Sequence, residues 1–188
     1  LGLILVEKEL ESAPAWRFLT LQPLQELAPL RLKGNSYPSA FSPSSGRLAL
    51  NDRHAVAVRD LTTRDIAWRQ RLPESVESLA ASPDGRFMAS ASADRVIRVW
   101  ETQTGRLVSE MAGHRFRITN MVFSADGRTL FSGEDGGTAV SEVRAWRVPT
   151  GELLGTLFSR KDSGELAQLI SRANDLLLIH HGTESHQR

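Results

Sequence analysis

Ser82-Pro83-Asp84-Gly85-Arg86-Phe87-Met88-Ala89-Ser90-Ala91-Ser92-Ala93-Asp94-Arg95-Val96-Ile97-Arg98-Val99-Trp100-Glu101, continued by Thr102-Gln103-Thr104-Gly105-Arg106-Leu107-Val108, is the stretch that decides the fold. Pro83-Asp84-Gly85 is a tight turn: proline pre-sets φ, the aspartate bonds its own backbone, and glycine takes φ > 0. Arg95 to Trp100 is rich in β-branched and aromatic residues at strand spacing. Thr104-Gly105 is a second turn. The stretch therefore reads as a β-meander of short strands.

Working outward, copies of this meander recur. Phe41-Ser42-Pro43-Ser44-Ser45-Gly46-Arg47 repeats the turn before it, with strands at Leu48 to Leu50 and Ala55 to Val58 and a further strand at Asp65 to Arg69. Met121-Val122-Phe123-Ser124-Ala125-Asp126-Gly127-Arg128 repeats it after, followed by strands at Thr129 to Ser132, Val143 to Val148 and Leu153 to Phe158. The turn glycines at 46, 85 and 127 are 39 and 42 residues apart, and the third-strand positions Arg59, Trp100 and Trp146 are 41 and 46 apart. An insertion at Gly136 to Ser141 accounts for the longer step. A period near forty with four strands per unit is the signature of an all-β propeller of four-stranded antiparallel blades. Carried forward, the period puts Asn174 at the turn-glycine position between strands at Leu166 to Ile170 and Leu176 to His180. Carried back, Leu1 to Glu7, Ala15 to Leu21 and Leu24 to Leu30 read as strands, and Pro29 marks the third as an edge or an early end. A helix running into Glu7 to Glu11 is the alternative for the first of them. The expected division is a partial blade over 1–33, blades over 34–72, 73–112 and 113–160, and a partial blade over 161–188.

Ser82-Pro83-Asp84-Gly85, Ser90, Asp94, Val96 to Glu101 and Gly113-His114 closely resemble a repeat of the WD-repeat (Trp-Asp repeat) family of β-propellers. Glu101 stands where that family usually has aspartate. The resemblance implies a ring of about seven blades, against room here for about four and a half. The chain is therefore expected to be a segment of a larger propeller, completed by further blades, since an open ring leaves sheet faces uncovered. It also implies a structural tetrad of His, Ser, Asp and Trp in each blade. Ser90, Asp94 and Trp100 supply three members in one blade, whose entering loop, Leu72-Pro73-Glu74-Ser75, has no histidine. The next blade offers His114, Ser132 and Trp146, with Asp135 beside the expected acidic position. The blade before keeps none, with Ala49, Arg53 and Arg59 in those places.

Composition bounds the rest. Of 188 residues 40% are hydrophobic and 24% charged, enough for a packed core. A net charge of +1 gives no overall reason to expect nucleic acid or a membrane surface. Cysteine is absent, which excludes disulfides and thiolate chemistry. No apolar run reaches the length of a membrane span. Because the chain begins at Leu1, the true start of the polypeptide is expected upstream, and any targeting signal with it.

Each chemical motif has a structural alternative. Serine, histidine and aspartate suggest a hydrolase, but no Gly-x-Ser-x-Gly elbow is present and these residues recur with the repeat, as framework does. His180, His181 and His186 suggest a metal, but adjacent residues of a strand point to opposite faces. Glu134-Asp135-Gly136-Gly137 lacks the oxygen spacing of a calcium loop. Neither a cofactor nor a catalytic residue is expected. The resemblance implies a non-enzymatic protein-binding platform whose rim would present Asn51, Arg53, Glu74, Glu77, Arg95, Arg115, Arg117, Glu134 and Asp135 to a protein partner. A propeller accessory to an enzyme, and a purely ring-completing segment, are the alternatives.

Overall fold

The computed structural model describes residues 3–10, 13–21, 24–31, 37–135, 141–160, 165–172 and 175–181, with side chains over 37–135 and over 142–159 except 158. Three four-stranded antiparallel sheets occupy the middle. The first comprises Tyr37–Ser42 (β4), Arg47–Asn51 (β5), Ala55–Asp60 (β6) and Ile66–Arg71 (β7). The second comprises Val76–Ala81 (β8), Phe87–Ser92 (β9), Ile97–Glu101 (β10) and Leu107–Met111 (β11). The third comprises Arg117–Phe123 (β12), Thr129–Asp135 (β13), Ser141–Arg147 (β14) and Leu153–Arg160 (β15). Before them Leu3–Leu10 (β1), Ala13–Leu21 (β2) and Leu24–Arg31 (β3) form a three-stranded sheet, and after them Glu165–Arg172 (β16) pairs with Asp175–His181 (β17).

β1 is a strand as far as Leu10, because its whole length pairs with β2, so the helical alternative does not hold. Pro29 lies in β3, at the edge of its sheet, where a missing N–H breaks no ladder. Asn174 and the insertion at 136–140 lie outside the described residues.

Within each sheet the strands follow chain order, and the sheets meet face to face. β8 lies beside β4 on one side and β12 on the other, and β16 lies beside β12. Alternation along one strand therefore feeds two cores. On β9, Phe87, Ala89 and Ala91 join Ile118, Phe123, Leu130 and Trp146 of the third sheet. Met88, on the other face of β9, joins Trp100, Val56, Val58 and Trp68 against the first sheet. Among the described residues, neither buried cluster belongs to one sheet alone.

Arg59 pairs with Leu48, Trp100 with Met88 and Trp146 with Leu130, so these three share one register position. Ser90 and Ser132 lie two residues beyond Met88 and Leu130. Two beyond Leu48 is Leu50, so the serine position of the first sheet is Leu50 and not Ala49. The cause is the turn: Ser42 pairs with Arg47 as Ser82 bonds Phe87, which places Gly46 one residue late.

The outer strands of the first and second blades each lean on the last turn of the next blade. Trp68 of β7 stacks on Trp100 with ring centroids 6.2 Å apart and donates its indole N–H to the Thr102 carbonyl at 2.8 Å. It lies over Gly105, where φ is +70° and a Cβ would stand 2.6 Å from Trp68 Cδ2. Gly46 has a similar φ of +64° with nothing within 4 Å. Replacing Gly46 by alanine is therefore expected to cost about 1–2 kcal/mol from the left-handed backbone alone. Gly105→Ala is expected to cost about 2–4 kcal/mol, because the methyl also collides with the indole. Denaturant unfolding of both variants checks this, and equal losses would mean that the Trp68 joint is not tight.

Candidate functional site: a buried hydrogen-bond chain beneath a charged rim

Four side chains of the third sheet form one continuous hydrogen-bond chain. Trp146 Nε1–H donates to Ser132 Oγ at 2.7 Å, Ser132 Oγ lies 2.6 Å from His114 Nε2, and His114 Nδ1 lies 2.9 Å from Glu134 Oε2. The same carboxylate oxygen accepts the backbone N–H groups of Arg115 at 2.7 Å and Phe116 at 3.1 Å. Indole only donates and carboxylate only accepts, so the protons run one way. The serine hydroxyl donates to Nε2 and the neutral imidazole donates from Nδ1. Ser132, Glu134 and His114 are all buried, and the imidazole ring lies 5.9 Å from the Trp146 ring.

Glu134, rather than Asp135, is thus the acidic member. Strand parity explains it: Ser132 and Glu134 are two apart on β13 and share a face, whereas Asp135 points the other way. Glu134 is also withdrawn from the rim where the sequence placed it, being fully buried, and Asn51 is buried too. Asn51 instead donates to the Val76 carbonyl at 2.9 Å and to the Tyr37 hydroxyl, and accepts from the Arg53 N–H.

In the second sheet Trp100 Nε1–H donates to Ser90 Oγ at 2.9 Å, and there the chain stops. Asp94 does not join it. Beyond the end of β9, it bonds the Ser92 hydroxyl and the Val96 N–H and pairs with Arg98 at 2.8 Å. Burial opposes its ionisation, but the Arg98 guanidinium and the Ser92 hydroxyl hold its carboxyl below the ordinary value. Val76 pairs with Ser92 as Ile118 pairs with Glu134, which aligns the two entering loops. Leu72 then occupies the place of His114, Pro73 that of Arg115, and Ser92 that of Glu134. Leu72 is buried in the apolar cluster against the first sheet. With no imidazole, and with a proline lacking the N–H that Arg115 supplies, a carboxylate at 92 would lose two of the donors that serve Glu134. The chain carries serine there.

A serine, a histidine and a carboxylate in hydrogen-bonded order have the connectivity of a nucleophilic triad. Here Ser132 Oγ is sealed in the core and already accepts an indole N–H. Among the described residues no group of three or more His, Asp or Glu is placed to hold a metal ion. His186 lies outside them, as do the side chains of His180 and His181.

The rim above is built from the loops entering each sheet and the turns between second and third strands. Arg53, Glu74, Arg95, Arg115 and Arg117 are exposed there. The Arg53 carbonyl accepts the Val76 N–H at 2.6 Å, the Ser75 carbonyl accepts the Ala93 N–H at 2.8 Å, and the Arg95 guanidinium donates to the Arg115 carbonyl at 3.1 Å. Neighbouring loops are thus tied to one another. Glu77 is half-buried and paired with Arg117 across the second and third sheets, a bond the sequence does not signal. Asp135 is half-buried and also engaged.

Burial holds His114 below its ordinary value of 6.5, although the Glu134 carboxylate pulls the other way and Arg144 adds to the lowering. A folded-state pKa below the unfolded one means that the unfolded chain takes the proton first. The contribution is complete above the unfolded value and is lost as pH falls below it. The melting temperature is therefore expected to drop between about pH 6.5 and pH 5. His114→Gln should flatten that part of the curve, and an unchanged slope in the variant would contradict the buried neutral imidazole.

With this geometry in place the comparisons are consistent. The family model described as WD domain, G-beta repeat, matches residues 70–101 and 105–140. A WD repeat-containing protein of Synechocystis is 37% identical over 103 residues, 54% of this chain and 28% of its own length. Autophagy-related protein 16 of Arabidopsis thaliana is 37% identical over 97 residues, 51% of this chain and 18% of its own. Apoptotic protease-activating factor 1 of Rattus norvegicus is 35% identical over 80 residues, 43% of this chain and 6% of its own. The chain thus spans less than a third of these relatives. A solved chain of Kuenenia stuttgartiensis hydrazine synthase shares the fold, with a TM-score of 0.63 at 18% identity over 76% of this chain and 42% of that one. The repeat match, the relatives and the three four-stranded antiparallel blades agree: the chain carries WD40 repeats, matched over residues 70–101 and 105–140.

Proposed function

We propose that this chain is a non-enzymatic protein-binding platform, with the rim of entering loops and second turns as its docking face. The observation that carries the reading is the contrast between the rim and what lies beneath it. The polar groups that could perform chemistry, Ser132, His114 and Glu134, are buried and hydrogen-bonded to one another. The polar groups that reach solvent, Arg53, Glu74, Arg95 and Arg115, sit on loops cross-tied by two backbone hydrogen bonds and by the Arg95 guanidinium on the Arg115 carbonyl. A pre-ordered charged surface loses little entropy on docking and steers a complementary partner. The kinship with WD repeat-containing proteins supports the same reading at the level of the family. The hydrazine synthase likeness is one of fold and lends no chemistry. The remaining blades of the ring, supplied by chain outside these residues, are part of the proposal.

Arg117 is a poor probe of this face, because reversing its charge would set two carboxylates against each other at the Glu77 joint. Site-specific photo-crosslinking of the intact protein in cells is the better test, with the crosslinker at Glu74 or at Arg95 and a control at Thr150 in an exposed turn at the opposite end of the third blade. The platform reading predicts discrete protein adducts from the two rim positions and none from Thr150. Equal labelling at all three, or adducts from Thr150 alone, would overturn it.

A further inference from the structure

We infer that the rim recognises an acidic peptide segment, an inference that rests on the platform reading above and names the chemistry of its partner. The carboxylates around this rim are largely taken up by the fold. Asp52 pairs with Arg69, Glu77 with Arg117, Asp94 with Arg98, and Glu134 is buried against His114. The arginines are not. Arg53, Arg95 and Arg115 are exposed, and none has a carboxylate partner among the described residues. They come from three of four neighbouring rim loops, which are tied together by the Arg53–Val76, Ser75–Ala93 and Arg95–Arg115 hydrogen bonds. The result is a run of uncompensated guanidinium groups, with Glu74 the exposed acid among them.

Arg53 and Arg95 occupy corresponding turns of the first and second blades, and both are held in the left-handed backbone region, at φ +54° and +65°. A long side chain is strained there and glycine is not. Arg64, in the turn between β6 and β7 at the opposite end of the first blade, has the same backbone strain at φ +67°, so the strain defines a variant and does not by itself mark the rim. A second, independent observation points the same way. Beside Arg53, the Tyr37 ring is 48% exposed, and Asn51 bonds both its hydroxyl and the Arg53 N–H. Arginine and tyrosine are the residues that anchor protein interfaces. Guanidinium forks match carboxylates bidentately, which gives the acidic partner its selectivity. Nucleic acid fits less well, because the chain has a net charge of only +1 and few charges to follow a phosphate backbone.

The strain supplies a clean variant. Arg53→Gly and Arg95→Gly remove the charge while relieving the backbone, Arg95→Gly also giving up the exposed bond to the Arg115 carbonyl, and Arg115→Ala keeps the N–H that Glu134 uses. In the intact protein, fluorescence anisotropy with a labelled oligoglutamate peptide, its oligoglutamine counterpart and an oligothymidylate strand reads the selectivity. The expected result is binding of oligoglutamate alone, weakened about tenfold or more in the triple variant and by added salt. The melting temperature of the variant should stay within about 2 °C of the parent or rise. Oligoglutamate binding no better than oligoglutamine, equal binding to the variant, or tighter binding of the oligonucleotide would each overturn the inference. If rim crosslinks persist in such a case, only the acidic preference falls; if they are absent as well, the platform reading falls with it.

Discussion

The three central sheets of this chain bury their described faces against one another, and the features of the joints follow from that dependence. β9 sends Met88 toward the first blade and Phe87, Ala89 and Ala91 toward the third. Two cores are thus fed by one strand of alternating parity. The joint at each blade boundary must also absorb polar groups, because the entering loop descends into it. At the boundary between the second and third blades this is done by a directed chain of donors from Trp146 to Glu134. Such a network fixes one geometry, at the cost of Glu134 Oε1, which has no hydrogen-bond partner among the described residues.

The boundary between the first and second blades solves the same problem without a buried imidazole–carboxylate pair, its Ser92 bonding Asp94 of the Asp94–Arg98 ion pair instead. Leu72 replaces His114, Pro73 replaces Arg115 and Ser92 replaces Glu134, while the tryptophan and its serine remain. The three replacements form one physical unit. Removing the imidazole removes the donor that a buried carboxylate needs, and proline removes another. Trp68 then fills the joint from the outer strand, over a glycine that leaves room for its ring. At the next boundary Ser109 takes that position against Gly151. A smaller side chain at the outer edge accompanies the polar chain within.

The architecture was legible because turn chemistry and period two act locally. Ser-Pro-Asp-Gly, Thr-Gly and the alternating strands carry their geometry in a few residues. What escaped was register. Gly46 suggests a serine position at Ala49 until the ladder shows the turn to be one residue late. Asp135 looked acidic enough and close enough, but only its neighbour Glu134 shares a face with Ser132. That parity is readable from sequence once β13 is known to run on to Asp135. The Arg117–Glu77 pair was not readable, since it joins residues forty apart across two blades. Exposure of the rim was legible for Arg53, Arg95 and Arg115 and not for Glu134 or Asn51, because a loop position does not say whether a side chain turns outward or into the joint.

The claim on which this account turns is that histidine and glutamate in one joint, and leucine and serine in the other, are coupled choices. A double-mutant cycle tests it directly, with unfolding free energies measured for His114→Leu, Glu134→Ser and the two together. If the carboxylate is buried because the imidazole serves it, the double variant should lose less than the sum of the single losses, by about 1–3 kcal/mol. Additive losses, agreeing within about 0.5 kcal/mol, would mean that the two residues act independently and that the buried chain does not set the joint.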